Sequence, residues 1–572
     1  MRPPTIPLRW VALALITVLA AALRLVDLGG VRLDPFYDAA VRSMGVSWHN
    51  FFFGAYEPGG SVSIDKPPVD LWLQVASVKL FGWGSTSLKL PEALAGTASV
   101  PLLYTAIKRP FGAVAGLVAA LALAVLPIET ITARSDTMDA VMMLLLVLAL
   151  LMVVRASETG KTAWLLAGAA ALGVAFNVKL LESVVALPGL FVLAWLGLPR
   201  TSEDGGPGAR LARHAAKFAA AAAVYVLVAL SWLGTTLLFP AHERPYAIGS
   251  TNGSAWNAAF VFNGSERLSG KTAEVGQPAP VTHHGRGGGE IASTGTTITP
   301  PSPTRLLARS GQLPAKWLGW EAMAALLLGI AVVVSALRGK TGRVQRATAI
   351  GVFVWLLTGL VLFSAMARLH PRYVESFTPA VAAMFGIGVG LLASLTSRAR
   401  LLAPALTALL AFLLVASIEA VEAKTSDAGN VGALNPLEQR ALSAYLLAHQ
   451  GKASYELAAG SSTSVASLIV QDQRPVLMLT TYNGIPFTSV VQLKALIARG
   501  QVRYAFLDSV CARASPKTTA GCAPAALWIR AHGSDVSRQA GLRGGVLWRL
   551  PQSATLAHLR VARVRRGDRP RR

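Results

Sequence analysis

About eleven stretches of roughly 17 to 22 residues carry almost no charge, and each could cross about 30 Å of hydrocarbon as a helix rising about 1.5 Å per residue. Hydrocarbon offers no partner to an open backbone N–H or C=O, so such segments are restricted to helices that close their own hydrogen bonds. They lie near Trp10 to Leu23, Pro91 to Ile107, Ala113 to Pro127, Met138 to Val154, Ala163 to Val178 and Val184 to Leu198. The series continues near Phe218 to Leu238, Trp317 to Leu337, Ala347 to Met366, Val374 to Leu395 and Leu402 to Ala420. Asn177, Lys179 and Glu182 interrupt its middle, so the fifth and sixth stretches are short. Only 14% of the 572 residues are charged, where a soluble domain carries about 25%. The expected fold is therefore mostly α and polytopic. The first stretch follows only Arg2 and Arg9 and resembles a signal peptide; we read it as a retained anchor, because the motif-bearing segment starts directly after it.

Lysine and arginine give the orientation, since short cytoplasmic loops keep positive charge. Lys108 and Arg109, Arg155 and Lys161, the group Arg200 to Lys217, the group Arg338 to Arg346, and Arg398 with Arg400 fall on one side with the N-terminus. The outer side receives Val26 to Leu90, Ile128 to Thr137, Pro240 to Lys316, Ala367 to Tyr373 and, with an odd number of spans, everything after about Val421. The net charge of +24 then resolves into topology signals, attraction to lipid headgroups and an arginine-rich tail, and no nucleic-acid partner is expected. Cys511 and Cys522 fall in the outer part, where an oxidising compartment allows a small loop disulfide; two free thiols are the alternative.

Composition divides the chain into a membrane domain at 1–422 with large outer loops at 28–90 and 239–316, an α/β domain at 434–552, and a basic tail at 553–572. His283-His284, in the Gly-rich centre of the second loop, has no further ligand at metal spacing. In the α/β domain, helix-like Leu437 to His449, Val490 to Arg499 and Cys522 to Ala531 are interleaved with strand-like Tyr455 to Ala459, Val476 to Thr480, Arg503 to Leu507 and Val546 to Leu550. Neither a G-x-G-x-x-G nor a P-loop occurs there, so no nucleotide site is indicated.

The candidate chemical groups cluster at the outer rim. Asp34 stands about ten residues beyond the first apolar stretch, where a carboxylate can take a proton from an acceptor hydroxyl. Asp65-Lys66-Pro67-Pro68 sets opposite charges side by side ahead of a stiff turn, and its lysine suits a phosphate oxygen. Trp48, Phe51, Phe52, Phe53 and Trp72 suggest interfacial helices. Arg134, Asp136 and Asp139 lead into the fourth stretch, where either acid could instead serve as a helix cap. Arg368-Leu369-His370-Pro371-Arg372-Tyr373 concentrates positive charge in a short outward turn, against the usual bias, and a lipid phosphate is the natural partner; pairing with Glu375 is the plainer one. Outer acids, a Lys-Pro-Pro turn and an Arg-His-Arg turn together suit a lipid phosphate carrying a group to be transferred.

These motifs resemble those of bacterial polytopic glycosyltransferases of the GT-C fold. The succession is Tyr37, Trp48 to Gly54, Asp65-Lys66-Pro67-Pro68, Leu80-Phe81-Gly82 and Arg134 to Asp139. Similar proteins are the family-39-like mannosyltransferases, the aminoarabinose lipid A transferases and above all the YkcB-type mannosyltransferases. The segments Arg244 to Asn252 and Phe262 to Gly264, and the α/β domain, resemble the last group. The resemblance implies an inverting transferase on the outer face of the bacterial cytoplasmic membrane. It would move a sugar from a polyprenyl phosphate to an envelope lipid, glycan or protein. Asp34, Asp65 and Asp139 would be the catalytic residues, and Tyr37, Lys66, Arg134, Asp136, His370, Arg372 and Tyr373 would bind substrate. No cofactor is required on this reading, although Asp65 and Asp139 could help hold a divalent cation. A lipid-linked sugar transporter would instead place ionisable groups mid-span, and a scaffold would leave the clustered acids without purpose.

Overall fold

The structure, a computed structural model, describes residues 7–199, 206–269, 283–284, 290–291, 297–298, 301–306, 318, 320–339, 341–394, 402–428, 434–481, 486–507, 511 and 522–551. The basic tail expected at 553–572, Arg398 with Arg400, and most of the middle of the loop at 239–316 lie outside them. Among the described residues, nine segments are long and apolar enough to cross a membrane. Two are composite. Ser85–Val125 has 41 residues, about 60 Å of helix and twice the hydrocarbon thickness. It breaks at Gly112, whose φ of 85° suits glycine alone. The second joins the helices Thr162–Lys179 and Leu187–Gly197 through a 3₁₀ turn, Leu180–Ala186. Apolar runs that read as separate in the sequence are thus merged, across the break at Gly112 in one segment and through a 3₁₀ turn in the other, giving nine segments among the described residues where about eleven stretches were read. Leu187–Gly197 is only about 16 Å long and cannot cross without that turn.

One end of the bundle collects the basic turns. Arg109 pairs with Glu158 at 2.6 Å, Gln345 donates to the Pro110 carbonyl at 2.8 Å, and Arg343 donates to the carbonyls of Gly197 and Ser157. The opposite end carries the residues after the first helix, the turn before Asp139, the segment 244–269, the His370 turn and the C-terminal domain. The expected aromatic group is divided there: Trp48 is exposed, whereas Phe53 is buried and Phe51 stacks on Trp72 with centroids 5.5 Å apart.

The C-terminal domain is built on a five-stranded sheet in the order Leu477–Met478, Ala458–Ala459, Tyr504–Phe506, Leu547–Arg549, Ser534–Asp535. The first three strands are parallel and the last two pair antiparallel. Side chains alternate across it with the period of a strand. Ala459, Met478, Phe506 and Leu547 face the helices Pro436–His449 and Ala466–Asp472. Ala458, Leu477 and Ala505 face Val490–Ala498 and Pro524–His532. The first of these two cores is continuous with that of the membrane bundle. Ala466–Asp472 packs against Pro35–Met44, and the seam is closed by polar contacts: Arg42 to the Val470 carbonyl at 3.2 Å, Tyr56 to the Ser462 carbonyl at 2.9 Å, and the Val476 N–H to Glu57 at 3.3 Å. Cys511 and Cys522 are joined in a disulfide, with Cα atoms 5.3 Å apart.

That cross-link should stabilise the C-terminal domain by about 3 kcal/mol through the unfolded chain it constrains. Calorimetry of the full chain should therefore show its transition moving down on Cys511→Ser or on reduction; an unmoved transition would exclude the bond as a stabilising contact.

Candidate active site

Asp34 is set by the start of the helix Pro35–Met44. It caps that helix by accepting from the Phe36 N–H at 3.1 Å, with proline at the first helical position. Its own N–H donates to both oxygens of Asp136, at 2.9 and 3.2 Å. Asp38, one turn further along, faces Asp136. All three acids are buried. Burial, followed by the Asp34 charge, pushes Asp136 up to about 7. Burial and the Asp136 charge raise Asp38 well above the carboxylate range. Lys89 faces Asp136 and Asp38 while donating to the Val31 carbonyl at 2.7 Å.

The Lys-Pro-Pro turn is clamped from two sides. Val62–Ser63 pairs in parallel with Tyr246–Ala247 immediately before it, and Asn263 donates to the Asp65 carbonyl at 2.8 Å. Asp65 and Lys66 form a buried ion pair at 2.8 Å. Burial alone would pull the Lys66 amine down, but Asp65, with Tyr37 and Tyr373, outweighs it and holds the amine above its usual range. Burial would likewise raise Asp65, and Lys66 overcomes it, so the carboxyl is held low. Both groups stay charged.

Asp139 opens the helix Asp139–Thr159 without capping it: Glu92 does so, accepting from the N–H groups of Ala140 and Val141 at 2.7 and 3.1 Å. The Asp139 side chain is thereby free to pair with Lys179, both fully or almost fully buried. Lys179 also lies 5.3 Å from the centre of the Tyr373 ring. Arg372 pairs with Asp427 at 3.7 Å, not with Glu375, and its guanidinium stands 5.8 Å over the Tyr37 ring. The His370 ring packs on Tyr373 with centroids 5.2 Å apart. Burial, then the charges of Arg372, Arg267, Lys66 and Lys179, push His370 well below its usual value, so it is neutral near pH 7. Arg267 reaches this group because its carbonyl accepts from the Arg368 N–H at 3.0 Å. Burial pushes the Tyr37 hydroxyl up to about 12, so it remains a donor.

Arg372, Arg267, Lys66 and Lys179 all act on the His370 ring, which packs on Tyr373, and Asp34 lies within electrostatic reach of Arg372 and Tyr37. The structure gathers Asp34, Tyr37, Asp65, Lys66, Asp136, Asp139, His370, Arg372 and Tyr373. Arg134 is placed differently. It donates to the carbonyls of Leu23, Arg24, Val26 and Asp27, closing the end of the first helix. Asp65 and Asp139 are each tied to a lysine, and among the described residues no group of three or more His, Cys, Asp or Glu is arranged to hold a metal ion. The donor set does not fit the divalent cation considered for these acids. Sequence reasoning did not single out Asp38, Lys89, Glu92, Lys179, Arg267 or Asp427 for the site. Lys179 had left a trace, as a charge interrupting an apolar stretch.

Residues 65–233 match the family described as dolichyl-phosphate-mannose-protein mannosyltransferase. Residues 442–532 match "Putative mannosyltransferase YkcB-like, C-terminal". Two proteins of Bacillus subtilis (strain 168) are similar in sequence. "Putative mannosyltransferase YkcB" is 36% identical over 248 residues, 43% of this chain and 33% of its own length. "Putative mannosyltransferase YycA" is 37% identical over 239 residues, 42% of this chain and 34% of its own. The chain thus spans about a third of the length of the curated relatives it matches. Among solved structures, ArnT from Cupriavidus metallidurans bound to undecaprenyl phosphate gives a TM-score of 0.56 at 17% identity, covering 95% of this chain and 98% of that one. The archaeal oligosaccharyltransferase AglB from Archaeoglobus fulgidus, in complex with an inhibitory peptide and a dolichol-phosphate, gives 0.52 at 12% identity, covering 92% and 73%. At such identities the likeness is one of fold, and the GT-C architecture read from the motifs is the one observed.

Lys179→Ala would leave Asp139 buried without its cation, at a cost of about 3–5 kcal/mol. The double variant with Asp139→Asn should recover most of the lost melting temperature in detergent; equal melting of all three proteins would discount the pair.

Proposed function

We propose that this chain is an inverting glycosyltransferase. It takes a sugar from a polyprenyl phosphate and passes it to an envelope lipid, glycan or protein acceptor at the outer face of the bacterial cytoplasmic membrane. The observation that carries this reading is the convergence of Lys66, Lys179, Arg267 and Arg372 around His370 and Tyr373, beside Asp34. A leaving phosphate needs positive charge and hydrogen-bond donors fixed in advance, and in a site shielded from water these act strongly. Support also comes from the lipid phosphates named for ArnT and AglB and from the mannosyltransferase names of the sequence relatives. The positive-inside pattern supports an outer position for this end of the bundle, and the Cys511–Cys522 disulfide suits an oxidising compartment.

In the proposed reaction the acceptor oxygen attacks the anomeric carbon from the face opposite the phosphate. The new C–O bond forms as the carbon–oxygen bond to phosphate breaks, and the phosphate leaves with the electron pair. Lys66, Arg372, Arg267 and Lys179 take up its charge, and Tyr37 donates to it. Asp34 accepts the proton of an acceptor hydroxyl. Neutral His370 can accept or donate a hydrogen bond without adding charge. Asp65 and Asp139 hold the two lysines in place, and Arg134 and Asp136 support the backbone around Asp34. Buried ionisable groups near helix ends support an enzyme over a transporter: Lys179 closes one helix and Glu321 opens another.

Asp34→Asn should lower sugar transfer from a polyprenyl-phosphate donor by about 10²–10⁴-fold, read by mass spectrometry of products from purified protein; full activity would sink the base role. Lys66→Ala and Arg372→Ala should each weaken undecaprenyl-phosphate binding about tenfold or more, the loss of a hydrogen bond to a charged group. Comparing envelope lipids and glycans with and without the gene would identify sugar and acceptor.

A further inference from the structure

The helix Val69–Phe81 exposes Leu73, Leu80 and Phe81 and buries Asp70, Gln74 and Ser77 beside Leu71 and Val75. A surface helix in water keeps its polar groups outside, so the polar groups turned inward here need partners. Gln74 has two on its amide nitrogen: Nε2 donates to Asp70 Oδ2 at 2.8 Å and to the Asp136 backbone carbonyl at 3.1 Å. The carboxyl oxygens of Asp136 in turn accept from the Asp34 N–H at 2.9 and 3.2 Å. Asp70, Gln74, Asp136 and Asp34 thus stand in one continuous line of hydrogen bonds, every member of it buried. The line joins segments 62 and 102 residues apart in sequence.

The same helix follows directly on the Lys-Pro-Pro turn. Pro68 is its N-cap, so Lys66 stands just ahead of its first turn, and Gln74 lies about 9 Å further along the axis. Lys66 has its own clamp in Asp65, in the strand pairing with Tyr246–Ala247 and in Asn263. Asp34 belongs to another element, as the cap of Pro35–Met44, which packs on this helix. Apolar packing between two helices has no preferred direction, whereas hydrogen bonds to one carbonyl and from one N–H do. Asp70 occupies one hydrogen of the Gln74 amide and leaves the other directed at Asp136. Gln74 therefore ties the element that carries the phosphate lysine to the turn that holds the Asp34 backbone.

We propose that Gln74 is a positioning residue, acting through Asp136, that sets the distance between Asp34 and the phosphate cations around Lys66. The role rests on the transferase reading above. In that displacement the acceptor oxygen and the leaving phosphate lie on opposite sides of the anomeric carbon, so the base and the cations must stand in line with the sugar between them. A misplacement of about 1 Å in such an arrangement costs about 10²-fold in rate.

Gln74→Met keeps the length of the side chain and removes both donors. In the full chain in nanodiscs, kcat for transfer from a polyprenyl-phosphate mannose donor should fall about 10- to 100-fold. The donor KM and the binding of undecaprenyl phosphate should stay within about twofold of the wild type, because Lys66 keeps its clamp. Rates counted per bound undecaprenyl phosphate leave misfolded protein out of the comparison. Asp136→Ala removes the acceptor of the Asp34 N–H but keeps the backbone carbonyl. Adding Gln74→Met to it should lower kcat by less than about twofold more, the non-additivity of two groups in one line. Hydrogen exchange at the Asp34 N–H, followed by mass spectrometry, should be about tenfold faster in Gln74→Met. That measurement needs no activity: faster exchange in a protein that transfers no sugar supports the tie and counts against the transferase reading. Unchanged exchange overturns the proposal, as does an unchanged kcat in an active enzyme. Additive losses in the double variant, or a fall in kcat matched by a loss of undecaprenyl-phosphate binding, overturn it as well.

Discussion

The absence of water inside a bilayer governs nearly everything in this molecule. Within the span each backbone group must be closed by its own helix, so irregular backbone and ionised side chains are pushed to the ends of the helices. The Asp34 cap, the Lys-Pro-Pro turn, the start of Asp139–Thr159, the end of Thr162–Lys179 and the His370 turn are all such ends. The candidate site lies where several of them meet.

Crowding many charges into a place shielded from water is costly unless each is matched. The site resolves this by pairing: Lys66 with Asp65, Lys179 with Asp139, Arg372 with Asp427. Each pair leaves a buried cation fixed in position by its acid. A phosphate arriving among them meets an electrostatic field already assembled, the condition under which such groups act most strongly. The backbone N–H of Asp34 is held by Asp136, and its side chain caps the helix at Phe36.

The C-terminal domain belongs to the same construction. One face of its sheet shares a core with the membrane bundle, and the other closes on its own helices. The polar seam through Tyr56, Glu57 and Arg42 runs along the segment between Asp34 and Asp65. Movement of the domain would thus act directly on the backbone that carries the first loop's acids.

Much of this could be read from the chain itself, because hydropathy, charge bias and strand periodicity are local signals. Apolar stretches marked the helices, and Asp34-Pro35 carries a helix start within two residues. The motif acids and the Lys-Pro-Pro turn pointed to one end of the bundle. The strands around Ala458, Leu477, Tyr504 and Leu547 fall inside the stretches expected for them, while the seven-residue helix Ala466–Asp472 is too short to leave a periodic trace. What the sequence could not contain is which charge meets which. Glu92 takes over the cap that Asp139 or Asp136 was free to supply, Lys179 finds Asp139 across 40 residues, Asp427 claims Arg372, and Arg134 turns to the first helix. Pairings of this kind depend on distances of a few ångströms between segments far apart in the chain. Only the packed helices determine those distances, so the residue types came from the sequence and their partners from the fold.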